Sequence, residues 1–163
     1  MTKLVALMGL PGAGKTEIAI KLAEQLHWPI VDRDAFPRPE FTDPEKQVAT
    51  EATFRQAAAH LSRRQSCILD GMTFADAAQR TRVRELAHSC NAHALLLWLD
   101  CPVGIAVERV NAQGEHPARD RDEALVRAVD RRFAVPESDV IRIDATQPVD
   151  AVVRQALRVV GIP

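Results

Sequence analysis

The sequence predicts a single three-layer α/β domain, a five-stranded parallel sheet with helices on both faces. Three observations lead to it. Short apolar runs alternate with helix-patterned stretches along the whole chain, an order that requires right-handed crossovers and a sheet covered on both sides. A carboxylate (Asp32, Asp70, Asp100, Asp144) stands at the end of every run after the first. The first run, Leu4-Val5-Ala6-Leu7-Met8, instead passes into Gly9-Leu10-Pro11-Gly12-Ala13-Gly14-Lys15-Thr16, a glycine-rich turn that opens a helix. At 163 residues and 18.0 kDa the chain has the size of one domain, so residues 1–163 are expected to share one core.

The elements follow in order. Ile18, Leu22 and Leu26 recur at helical spacing, with Ala19 and Ala23 in the same stripe. Pro29 stops that helix, and Trp28-Pro29-Ile30-Val31-Asp32 makes a short second strand. Residues 33–42 hold two prolines, Pro37 and Pro39, and are expected to be irregular; Asp43-Pro44-Glu45 then starts an alanine-rich helix that runs to about Ser62. Cys67-Ile68-Leu69 is the third strand, ending at Asp70, and Thr73 to Ser89 is expected to be helical, with Val83, Leu86 and Ala87 inward. Ala94 to Leu99 is an uninterrupted apolar strand, in which Trp98 is expected in the core. Pro102 leads a helix with Val103, Ala106, Val107 and Val110 inward. Residues 111–121, with glycine, proline and Arg119 and Arg121 but almost nothing to bury, are expected to form a small lid. A helix with Leu125, Val126, Val129 and Phe133, a strand from Val140 to Ile143, and a final helix from Val149 to Val160 complete the chain.

Composition excludes several classes. A formal net charge of -1 exerts no global pull on polyanions, and no apolar run is long enough to span a bilayer, so a cytoplasmic protein without a membrane partner is expected. Three cysteines without a CxxC pair argue against a disulfide framework and suit packing roles. The histidines lack metal-ligand spacing, and of the five only His116 lies in a loop suited to meet a ligand.

Residues 9–16 fit the pattern GxxxxGK[ST]. Glycines let successive backbone N–H groups converge on a phosphate at the N-terminus of the following helix. Lys15 would reach the β- and γ-phosphates, and the Thr16 hydroxyl would be a magnesium ligand, so ATP and Mg2+ are the expected cofactors. In an open parallel sheet, ligands gather at the carboxyl ends of the strands. That places the chemistry at residues 9–17, Gly9 to Glu17, and at the turns 32–34, 70–73 and 144–146.

The loop GLPGAGKT, the VDRD and ILDG turns, the LLLWLD strand followed by a proline-led helix, and the arginine-containing lid together resemble the small P-loop kinases of the nucleoside-monophosphate-kinase type. Within these the chain looks most like short bacterial AAA-like ATP-binding proteins related to polynucleotide kinase and chloramphenicol phosphotransferase. The resemblance implies the P-loop NTPase fold with sheet order 2-3-1-4-5, which sets Asp70 beside the phosphate loop. It implies transfer of the γ-phosphoryl group of ATP to a hydroxyl. Asp34 would accept or orient that hydroxyl, the alternative being a cap for the following turn. Asp32 and Asp70 would serve magnesium, Asp70 alternatively capping a helix. Arg109 would stack on adenine or touch phosphate, Arg119 or Arg121 would meet the phosphates from the lid, Arg38 would position the acceptor, and Thr146 would lie at the adenine edge.

Departures from these relatives narrow the acceptor. The triple glycine of shikimate kinases is missing after the third strand. The DxT turn of polynucleotide kinases is one residue longer here, and the chain has no tyrosine and only 4% aromatic residues, so a nucleic-acid acceptor is disfavoured and a small-molecule hydroxyl is expected. Phe36, Phe41, Phe54, Met72 and Phe74 would either wall the acceptor pocket or pack the core. The rival expectation is a nucleotide-operated switch or a slow ATPase, with Glu17 or Glu40 holding water; the assembly is expected to be a monomer or homodimer.

Overall fold

The computed structural model describes residues 1–113 and 122–161. Five parallel strands, β1 (Lys3–Met8), β2 (Ile30–Asp32), β3 (Cys67–Asp70), β4 (His93–Asp100) and β5 (Ile141–Asp144), form one sheet in the order β2-β3-β1-β4-β5. The helices are α1 (Lys15–Leu26), α2 (Asp43–Ser62), α3 (Ala77–Ser89), α4 (Val103–Ala112), α5 (Glu123–Arg132) and α6 (Val149–Val160).

β1 lies at the centre, and its pleat sends Val5 and Leu7 to one face and Leu4, Ala6 and Met8 to the other, all fully buried. The first face packs Ile18 and Leu22 of α1, Val107 of α4 and Val153 of α6; the second packs Phe54 and Leu61 of α2 and Val83 of α3. Aspartates are the last residues of β2, β3, β4 and β5, so the sheet's carboxyl edge is a row of acids interrupted at its centre by the glycine-rich loop. α2 opens with a capping box, Thr42 Oγ1 accepting from Glu45 N at 3.4 Å while Glu45 Oε2 accepts from Thr42 N at 3.0 Å.

Four local expectations change. Residues 33–35, expected to be irregular, form a single 3-10 turn in which Asp32 Oδ1 accepts from Asp34 N at 2.8 Å. α3 begins at Ala77 rather than Thr73, because the backbone of 73–76 is used elsewhere: Thr73 O accepts from Gly9 N at 3.0 Å and Ala75 O from Ala134 N at 2.9 Å. Phe74 between them takes φ 51°, outside helical space. Trp98 is half-buried rather than core, packed against Phe133 with ring centroids 6.1 Å apart and covered by the Arg142 guanidinium. α4 extends through Ala112, and the rest of the expected lid, with His116, Arg119 and Arg121, lies outside the described residues.

Candidate functional site

The glycine-rich loop folds as an anion cradle. Gly12 takes φ 84°, and a Cβ there would stand 2.3 Å from Ala106 O, so no other residue fits without moving α4. Lys15, 6% exposed, lies at the loop mouth, its Nζ donating to Gly9 O at 2.9 Å and Leu10 O at 2.8 Å. Thr16 beside it is exposed. The N-terminus of α1 points its leading N–H groups and positive dipole end into the same space.

Two clefts open on either side of this loop. The first, with a cavity volume of about 310 Å³, lies over Gly12, Ala13 and Gly14 and is walled by Arg109, Gln113, Ala145 and Gln147. Arg109 is fixed there by donating to Ala145 O at 3.0 Å. Glu17 also lines this cleft. Thr146 does not; its N and Oγ1 both donate to Asp144 Oδ1, at 2.9 and 2.6 Å, which closes the turn after β5 and holds the Asp144 carboxyl below its usual range.

The second cleft, of about 140 Å³, gathers Lys15, Thr16, Asp34, Arg38 and Asp70, with Met72, Leu125 and Val129 supplying its apolar surface. The sequence set these residues up to 55 positions apart; sheet order brings them together, because β3 adjoins both β1 and β2. Asp34 is ion-paired to Arg38, whose side chain is 3% exposed and lies 5.1 Å from the Phe41 ring centroid. Phe54 and Phe74 belong to the core, so of the five apolar side chains considered for the wall only Met72 lines this cleft.

Asp70 is 2% exposed, and its Oδ1 has no hydrogen-bond partner among the described residues. Such an orphan in a buried carboxylate next to a phosphate loop is a place for a cation or its water. In register with it on β2 stands Asp32, whose carboxyl is pushed above its usual range, first by burial and then by Asp70 and Asp34. Asp32 faces the turn rather than the cleft: a Cβ on Gly71 would meet Asp32 Oδ1 at 2.3 Å. The donor set of one hydroxyl and two carboxylates is all oxygen and suits a hard cation such as Mg2+, which keeps much of its water; no three His, Cys, Asp or Glu side chains among the described residues converge into a protein-only cage.

One structural residue escaped sequence reading. Arg80, fully buried, donates to Phe74 O at 2.9 Å, Ala75 O at 3.0 Å, Val135 O at 3.2 Å and both Glu137 carboxylate oxygens. It joins the turn after β3 to the segment after α5. Its only signal in the sequence is an arginine at the i−3 position of the inward stripe that contains Val83 and Ala87.

The AAA domain family profile matches residues 4–136. A shikimate kinase from Novosphingobium aromaticivorans is 28% identical over 129 residues, covering 69% of this chain; the chain spans 62% of that protein's length. Among solved structures, an unliganded sugar kinase from Janibacter sp. HTCC2649 superposes with a TM-score of 0.79 at 23% identity, over 99% of this chain and 96% of that one. The Mycobacterium tuberculosis APS kinase, in complex with AMPPNP and APS, superposes with a TM-score of 0.75 at 17% identity, over 98% and 97% of the two chains. Since the family profile runs from β1 past the end of α5, taking in the phosphate loop and most of both clefts, the chain belongs to the AAA domain family and has the fold of the small P-loop kinases.

Proposed function

We propose that this protein is an ATP-dependent kinase that phosphorylates a hydroxyl of a small molecule. The observation that carries the reading is the pair of clefts with the phosphate loop as their common wall: one is shaped for a nucleotide, and the other presents a carboxylate, Asp34, beside Lys15 and Thr16. A protein that only sensed nucleotide would need the first cleft alone.

The nucleotide base side lies against Arg109, Ala145 and Gln147, and its phosphates against the loop N–H groups and Lys15. The acceptor hydroxyl oxygen attacks the γ-phosphorus, the bond to the β,γ-bridging oxygen breaks, ADP leaves, and the hydroxyl proton passes to the Asp34 carboxylate. Arg38 keeps that carboxylate aimed into the cleft. Lys15 offsets charge on the phosphoryl oxygens, a role in which Arg119, outside the described residues, would join it from the lid. Thr16 and Asp70, with Asp32 behind, would hold Mg2+, which when bound neutralises phosphate charge.

The test is ADP release with Mg-ATP and pooled hydroxyl acceptors, with Lys15→Ala as blank. Release that depends on an acceptor and falls by about 100-fold or more in the blank is expected. Nucleotide binding with no acceptor-dependent release would replace this reading with a switch.

A further inference from the structure

Beyond the kinase reading and independent of it, we infer that the protein holds a third ligand site, for a small aromatic amine, in the cavity between the ends of β4 and β5 and residues 133–140. Volume comes first. The cavity measures about 550 Å³, larger than either cleft and inside the roughly 300–1,000 Å³ of small-molecule sites. It touches the phosphate loop at Leu10, and none of Lys15, Thr16, Asp34 and Asp70 lines it, so its occupant binds beside the phosphoryl chemistry rather than in it.

The walls come second. Trp98 and Phe133 make an aromatic shelf, their rings inclined by 26°. Leu10, Pro136 and Val140 extend it, and Val135 at the rim is 87% exposed. Neither of the two clefts has an aromatic wall. Aromatic surface that faces a cavity gains by stacking on a flat ring or meeting its edge.

Charge comes third. Three carboxylates, Asp100, Asp130 and Glu137, line the cavity against one cation, Arg142. Arg142 Nε donates to Asp100 Oδ2 at 2.7 Å, and Glu137 is held by Arg80 and Arg84, neither of which lines the cavity. Asp130 has no ion pair among the described residues, and in the last turn of α5 its charge opposes the helix dipole. A cationic nitrogen beside it offsets both. The Arg142 guanidinium, 5.7 Å from the Trp98 ring centroid, shows that the shelf accepts a flat cation; with its side chain 71% exposed, little packing holds it there.

The probe is 2-phenylethylamine, compared with 2-phenylethanol, 3-phenylpropionate and n-butylamine. Binding is read by quenching of Trp98 fluorescence in Trp28→Phe, where Trp98 is the sole tryptophan, and in the unchanged chain by the shift in melting temperature, each with and without saturating Mg-ADP. The amine is expected to bind with a millimolar or tighter Kd, about 3-fold or more below those of the other three, and equally with Mg-ADP present. Asp130→Asn is expected to erase its advantage over the alcohol, and Val135→Lys, which sets a cation at the rim, to reverse its advantage over the carboxylate; both positions are exposed. Equal or tighter binding of 2-phenylethanol or 3-phenylpropionate overturns the amine, and equal binding of n-butylamine overturns the aromatic class. Binding unaltered in both variants, or abolished by Mg-ADP, puts the probe elsewhere and overturns the site. No binding by about 10 mM in either readout does the same. None of these results bears on ADP release, so the kinase reading stands or falls separately.

Discussion

Asp34 is ion-paired to the Arg38 guanidinium, has Arg33 Nη2 3.9 Å from its Oδ1, and sits on a turn whose first residue, Asp32, is bonded to its backbone. A group held on both sides in this way acts by position, so Asp34→Asn is expected to lower kcat by about 100-fold or more while Mg-ATP affinity changes little. Direct titration of a fluorescent nucleotide beside turnover measurements checks this, and equal losses in both would assign the residue to nucleotide or metal. Gly71 sets the same turn from behind. With φ 78° and a prospective Cβ 2.3 Å from Asp32 Oδ1, Gly71→Ala is expected to cost about 1–3 kcal/mol in urea unfolding and to displace the Asp34 carboxylate. Lys15, Asp34 and Asp70 were legible in the sequence because a motif or a strand end marks each. Gln79 and Lys46 were not, since their place in the cleft depends on where α2 and α3 pack, and a charged or amide residue on a helix reads equally well as a solvated face.

At the scale of elements, the start of α3 departs from the sequence pattern for a physical reason. The stretch from Thr73 to Asp76 has helix-compatible residues, yet its carbonyls serve Gly9 and Ala134, partners 64 and 59 positions away that no local pattern reveals. Arg80 then locks the arrangement by bonding Phe74 O and Ala75 O on one side and Val135 O and Glu137 on the other. Arg80→Met would strand two buried carbonyls and release Glu137. A loss of about 2–4 kcal/mol in denaturant unfolding is expected, and Arg80→Lys should recover only part of it, since a point charge cannot reproduce the forked donors. Other elements, by contrast, were legible almost to the residue: α2 runs over Asp43–Ser62, opened by its capping box, and the apolar run of β3 ends on Asp70.

At the scale of the whole molecule, acid sensitivity is expected at the segment after α5. Arg80 first, then Arg84, hold the Glu137 carboxyl down to about 2 from its usual 4.5, and Arg84 holds Asp139 below its usual range. A carboxyl whose pKa is lower when folded contributes stability that is complete above its unfolded value and lost as pH falls through the folded one. Urea midpoints are therefore expected to hold down to about pH 5 and then decline toward pH 2, with Glu137→Gln flattening part of that decline. Fold class followed from the alternation of strands and helices, whereas strand order required resemblance to known kinases, because hydropathy says which segments are strands and nothing about which lie side by side. That order has a further effect. The Gly9–Thr73 hydrogen bond ties the phosphate loop to the turn that lines the other cleft. Two ligands that share such a wall sense each other, and linkage makes the effect reciprocal: whatever factor the nucleotide applies to the acceptor's dissociation constant, the acceptor must apply to the nucleotide's.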